Sequence, residues 1–127
     1  MNREETEEII LAINTLRESS KEMPIVVEGK NDERALRSLG IEGKIFKLAG
    51  SSLFELCDSI SNSCREIMLF VDADREGRKI GKAMAKYLLP RGVKINTKLA
   101  NRLLKMLNAA EVEDLPKRID EKQILYI

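Results

Sequence analysis

The sequence predicts an α/β fold with a central parallel sheet of about four strands flanked by helices. Two observations predict it. Short apolar or β-branched runs recur at residues 25–27 (IVV), 44–48 (KIFKL), 67–71 (IMLFV) and 93–95 (VKI), and a stretch with helical periodicity separates each from the next. Parallel neighbours need a crossover connection, and a helix supplies it.

Asn2 with Glu5 three residues on forms a capping box, opening a helix whose inward face is Ile9, Ala12, Ile13 and Leu16 and which ends before Pro24. After the first strand a helix is expected from about Asp32 to Gly40, where glycine suits a C-terminal cap. Ser52 and Glu55 start a third helix carrying Leu53, Leu56, Cys57 and Ile60 inward. A fourth runs from about Arg75 to Leu89 and is stopped by Pro90 and Gly92. The last, from about Thr97 to Leu107, places Leu99, Leu103, Met106, Leu107 and Ala110 on one side and is expected to cover the sheet rather than form a dimer. The tail, with Pro116 and the final ILYI, fits either a closing strand or a docking segment.

With 127 residues the chain fits a single domain spanning residues 1–127, able to bury a core without disulfides or metal staples. Its apolar runs fall short of the roughly 18 residues that span a bilayer, and the acidic N-terminus is unlike a signal peptide, so a soluble cytoplasmic protein without membrane association is expected. There is no histidine, which excludes Ser/His/Asp and Cys/His catalysis, and Cys57 and Cys64 are too few for a zinc site. Net charge is only +1, yet its distribution is uneven: residues 1–74 hold 9 Lys/Arg against 15 Asp/Glu, and residues 75–105 hold 10 against 1. A surface that receives a polyanion has that asymmetry.

The chemistry concentrates where the third strand ends. Asp72, Asp74 and Glu76 occupy alternate positions directly after it, and Glu28 directly follows the first strand. In a parallel sheet both strand ends lie at one edge, the edge where open α/β sheets bind ligands. Carboxylates gathered there repel one another unless a cation joins them. Oxygen ligands without His or Cys favour Mg2+, with Mn2+ as a substitute, and Mg2+ draws further ligands from substrate phosphate. The competing reading is helix capping, for which Asp74 is well placed. On the following helix Arg75, Arg78, Lys79, Lys82 and Lys86 form one stripe opposite Ile80, Ala83, Met84, Tyr87 and Leu88. That stripe suits nucleic-acid phosphates, although a solvated cationic face has the same pattern. Aromatic residues are few, so base stacking is not expected to dominate recognition.

VVEGKND, a parallel αβ array and LFVDADREG together resemble the Toprim domain of type IA and type II topoisomerases, bacterial primases, recombination-repair proteins and several nucleases. The resemblance spans about residues 24–95 and implies a Toprim-like (Rossmann-like) fold. It implies that Glu28 is the general acid or base, or a metal ligand, and that Asp72 and Asp74 bind magnesium. DADREG is similar to the DxDxE form of type IA topoisomerases, which makes Glu76 either a supplementary ligand or a first-turn helix acid. VEGKND and LAGSS are more similar to small stand-alone Toprim proteins and to the Toprim ribonuclease that matures 5S ribosomal RNA. On that comparison Gly29, Lys30 and Gly50 are candidates for phosphate approach, beside Arg75, Arg78, Lys79 and Lys82. The chain is too short for the DNA gate and nucleophilic tyrosine of a topoisomerase, or for the extra modules of a primase.

The function expected is a magnesium-dependent nuclease acting on RNA or single-stranded DNA. The alternatives are a non-catalytic metal- and nucleic-acid-binding module, in an RNA-processing or DNA-repair assembly with a larger protein partner, and a phosphohydrolase for small nucleotides.

Overall fold

Val26 is flanked by Ile25 and Val27, and all three are buried, which requires helices on both faces of the strand they form. The computed structural model describes residues 2–122 and residue 124. Its elements are α1 (Arg3–Ser19), β1 (Ile25–Val27), α2 (Lys30–Ser38), β2 (Ile45–Lys47), α3 (Leu53–Ser63), β3 (Glu66–Leu69), α4 (Arg75–Leu88), β4 (Lys94–Asn96), α5 (Lys98–Met106) and α6 (Leu115–Glu121), with 3-10 turns at Leu89–Arg91 and Val112–Asp114. The four strands are parallel, in the spatial order β2-β1-β3-β4. This is the α/β sheet expected.

That order carries one reversal. The chain steps from β1 to β2 in one direction, then passes back over β1 to β3 and continues to β4. Right-handed crossovers put helices of opposite step direction on opposite faces. Accordingly α2 packs with Ile25, Val27, Met68 and Phe70, joined there by α1, α5 and α6. On the other face α3 and α4 enclose Val26, Ile67 and Leu69 through Cys57, Ile60, Met84 and Leu88. The strand residues divide by alternation, as the pleat demands.

Local signals set most boundaries. Asn2 Oδ1 accepts the Glu5 N–H at 2.8 Å and Ser52 Oγ accepts the Glu55 N–H at 3.0 Å, so both caps act as the sequence indicates. Helix α2 starts two residues earlier than expected, with Gly29 as its N-cap, because the Asp32 carboxylate takes the Gly29 N–H at 3.1 Å and closes the first turn. Strand β3 ends at Leu69 rather than at Val71, although Phe70 still donates its N–H to Val26 at 2.8 Å. Asp72 therefore lies further beyond the end of the strand instead of directly after it. Helix α5 covers the sheet through Ala100, Leu103 and Leu104, but it stops at Met106 and leaves Ala110 exposed.

In the tail, Pro116 sits in the first turn of α6, where a missing N–H costs nothing. Ile124 is buried, and Leu125, Tyr126 and Ile127 lie outside the described residues. No helix among the described residues is long and apolar enough to cross a membrane.

Ile13 is fully buried between α1 and the sheet. Ile13→Ala is expected to cost about 2–5 kcal/mol, read as a lower urea midpoint with an unchanged m-value.

Candidate functional site

The reversal of strand order leaves a crevice between the carboxyl ends of β1 and β3, and the candidate acids sit there. Glu28 follows β1 directly and is half-buried. Burial raises its pKa, and the charges of Asp72, Asp32, Asp74 and Glu76 raise it further, in that order. The topology thus brings Glu28 within electrostatic reach of all three acids of the DADRE stretch. Asp32, which sequence reading used only to place a helix start, joins them. Its own pKa is raised mainly by burial, against the opposing effect of the Gly29 N–H bond, with Asp72 and Glu113 adding repulsion.

Asp72 is held by a segment distant in sequence. Its Oδ1 accepts the Val112 N–H at 2.8 Å, and the Ala73 N–H donates to the Ala110 carbonyl at 2.9 Å. Residues 110–112 therefore strap the β3–α4 loop. The strap adds acids, since the pKa of exposed Glu111 is raised first by Asp114 and then by Asp72.

Asp74 is the N-cap of α4, its Oδ1 accepting the Gly77 N–H at 2.8 Å. The capping reading of Asp74 thus holds, and it leaves Oδ2 for another ligand. Glu76 is exposed in the first turn of α4 and pairs with Lys79 at 3.4 Å. Gly77 is buried, and a Cβ there would overlap the Asp72 carbonyl oxygen. Glycine at this position lets the loop fold back on its own helix.

The other predicted positions separate. Gly29 has extended backbone and open space where a Cβ would be, so neither conformation nor crowding requires glycine, and its N–H is already bound to Asp32. Lys30 is exposed in the first turn of α2. Gly50 has φ +85°, so the turn after β2 accounts for glycine there. Along α4, Arg75, Arg78, Lys79 and Lys82 are all exposed. Lys79 lines a cleft of about 520 Å³ with Glu28, whereas Arg78 lines one of about 350 Å³ with Asp72 and Asn101.

Among the described residues no group of three or more His, Cys, Asp or Glu side chains stands close enough together to hold a metal ion. The donor set still fits a hard cation that needs only one or two carboxylates and takes its remaining ligands from water and phosphate. Asp72 and Asp74 each commit one oxygen to a backbone N–H and keep the other.

A family model of the Toprim domain matches residues 24–114. The chain belongs to the Toprim family. The match runs past the expected limit at residue 95 and takes in the strap over Asp72. A UPF0292 protein of Methanocaldococcus jannaschii is 31% identical over 126 residues, covering 96% of this chain and 98% of the relative. One from Pyrococcus abyssi is 36% identical over 103 residues, covering 81% and 74%. A solved structure described as a putative protein from Aquifex aeolicus superposes with a TM-score of 0.73 at 29% identity, over 82% of this chain and 94% of that one. Toprim domains typically bind magnesium and act on nucleic acids.

Two outcomes follow from this geometry. Gly77→Ala forces apart a backbone contact rather than a mobile side chain and is expected to cost about 1–3 kcal/mol, measured by urea denaturation. Because folding raises the Glu28 pKa above its ordinary value near 4.5, Glu28 contributes stability below that value, and the contribution is lost as pH rises through the raised one. In metal-free buffer Glu28→Gln should therefore raise Tm at neutral pH and leave it unchanged in acid. Equal Tm gains at both pH values would contradict the charge crowding.

Proposed function

We propose that this protein is a magnesium-dependent nuclease acting on RNA or single-stranded DNA. The observation that carries the proposal is a half-buried carboxyl, Glu28, at the sheet edge beside a cationic helix, within electrostatic reach of Asp72, Asp32, Asp74 and Glu76. Asp72 and Asp74 are the assigned magnesium ligands, with Glu76 as a supplementary one. Magnesium bound there would offset the carboxylate charge and stabilise negative charge on the phosphate.

Glu28 is assigned proton transfer. A general base works best with a pKa near the working pH, and burial moves Glu28 in that direction. In this scheme it accepts the proton of the water that attacks phosphorus, and the departing oxygen is protonated from solvent. Lys79, in the cleft with Glu28, and Arg78, in the cleft with Asp72, position the strand, with Lys30, Arg75 and Lys82 as further phosphate contacts. Gly29 leaves the phosphate approach free of a side chain, and Gly50 does so while shaping the turn after β2.

A binding module without cleavage is the second reading. It is favoured by the engagement of one oxygen of Asp72 and one of Asp74 in backbone hydrogen bonds, a structural use of both residues.

Cleavage of end-labelled single-stranded RNA and DNA with Mg2+ or Mn2+ tests the proposal. Glu28→Gln is expected to lower the rate by about 10²–10⁴-fold, and Asp72→Asn to abolish metal-dependent cleavage while leaving the fold intact. Unchanged cleavage by Asp72→Asn would sink the mechanism. Binding that weakens with salt but yields no product would favour the binding module.

A further inference from the structure

Beside Glu28 lies a cleft of about 520 Å³ between the loop after β2 and helix α4. Its size falls within the range of about 300–1,000 Å³ found for small-molecule sites. Leu48, Leu53, Ile80 and Ala83 form its aliphatic walls, and Glu28 and Lys79 stand at it as charged groups of opposite sign. All four wall residues are only partly buried, so they offer apolar surface that the core does not use.

We propose that this cleft receives one unpaired nucleobase of the strand whose phosphate lies at Glu28. The inference rests on the nuclease reading above and adds the substrate class, a strand with an accessible, unstacked base. A nucleobase has two apolar faces and a polar edge, which matches aliphatic walls with charged groups among them. Its attached backbone brings the anions that the α4 cations lack. Lys82 and Lys86 are exposed further along that helix, and each lacks an acidic partner among the described ion pairs. An apolar peptide side chain would fill the same walls but bring no negative charge to that stripe.

The surface continues in the same chemistry. One residue on from Leu53 and one helical turn on from Ala83, Phe54 and Tyr87 meet edge to face at 5.8 Å, with the Arg91 guanidinium 5.5 Å from the Phe54 ring centre. Phe54 is 52% exposed, unusual for so large an apolar side chain. An exposed aromatic beside an arginine is a platform for a second base. Bases in a duplex remain stacked and cannot enter such a cleft without being flipped out, so the cleft selects single strands.

The test is fluorescence anisotropy with a labelled single-stranded oligonucleotide and the same oligonucleotide made abasic throughout, in Mg2+, with cleavage followed on the same samples. The wild-type chain is expected to bind the intact strand about tenfold more tightly. Ala83→Leu, which fills the cleft with a good helix former, should reduce that preference and leave affinity for the abasic strand unchanged. If that variant does not fold, Phe54→Ala decides: a preference that survives it supports the cleft, and one that disappears overturns it. Equal, salt-sensitive binding of both strands overturns the cleft assignment and leaves the phosphate site standing. No binding of either strand overturns both. A preference that survives Ala83→Leu and disappears in Phe54→Ala places the base on the aromatic pair and also overturns the cleft. Base preference without any cleavage supports the cleft and separates it from the failure of the nuclease reading.

Discussion

A parallel sheet with one reversal of strand order can open at one place only, and here that place lies between β1 and β3. The two crossover helices that leave these strands depart toward opposite faces, α2 to one and α4 to the other. Between them the strand ends open into a crevice. Polar groups can occupy the gap without being driven into either core, and main-chain direction aims the residues after both strands into it. Glu28 and Asp72 meet for this reason rather than through any local affinity, since as like charges they repel.

That repulsion has to be held by something else. The β3–α4 loop is fixed by the Asp74 cap, by the close approach of Gly77 to the Asp72 carbonyl and by two hydrogen bonds to residues 110 and 112. The strap is in turn anchored by Val112, Leu115 and Ile119, each fully buried in the cluster that includes α1 and α2. Apolar burial on one side of the sheet thus offsets charge crowding at its edge. Concentrating carboxylates in this way lowers stability at neutral pH, in exchange, under the proposed function, for a place to bind a cation and a phosphate together.

Much of this was legible in the sequence because it is written locally. A capping residue and its partner three positions on are visible in a window of four, so Asn2, Ser52 and Asp74 could all be recognised. Burial on both faces shows in the uninterrupted apolar run of β1. The Asp72–Val112 bond joins residues 40 apart with nothing in either neighbourhood to announce it. Glu111 and Glu113 read as ordinary surface acids of a polar tail, and only the return of that tail to the sheet edge brings Glu111 near Asp72 and Glu113 near Asp32. Asp32 was within reach: its bond to the Gly29 N–H is a capping signal, and recognising it would have started α2 earlier and added an acid to the site. The end of β3 escaped because a ladder stops where pairing does, here at the Val26–Leu69 pair, however apolar the chain that follows.

The strap also explains why the extent of the family match and the reach of the acidic site coincide. The motif-bearing stretch ends, in sequence terms, at the fourth strand, yet the match continues to residue 114. Across that added length α5 closes over the sheet and the chain returns to bind Ala73 and Asp72. A βα array without this return would leave the Asp72 carboxylate to rotate freely in solvent. With one oxygen fixed by the Val112 N–H, rotation of the carboxylate is restricted and its second oxygen has a defined direction. For a ligand shell shared among protein, water and phosphate, orientation of the few protein oxygens matters more than their number. The residues that set this orientation need carry no chemistry of their own.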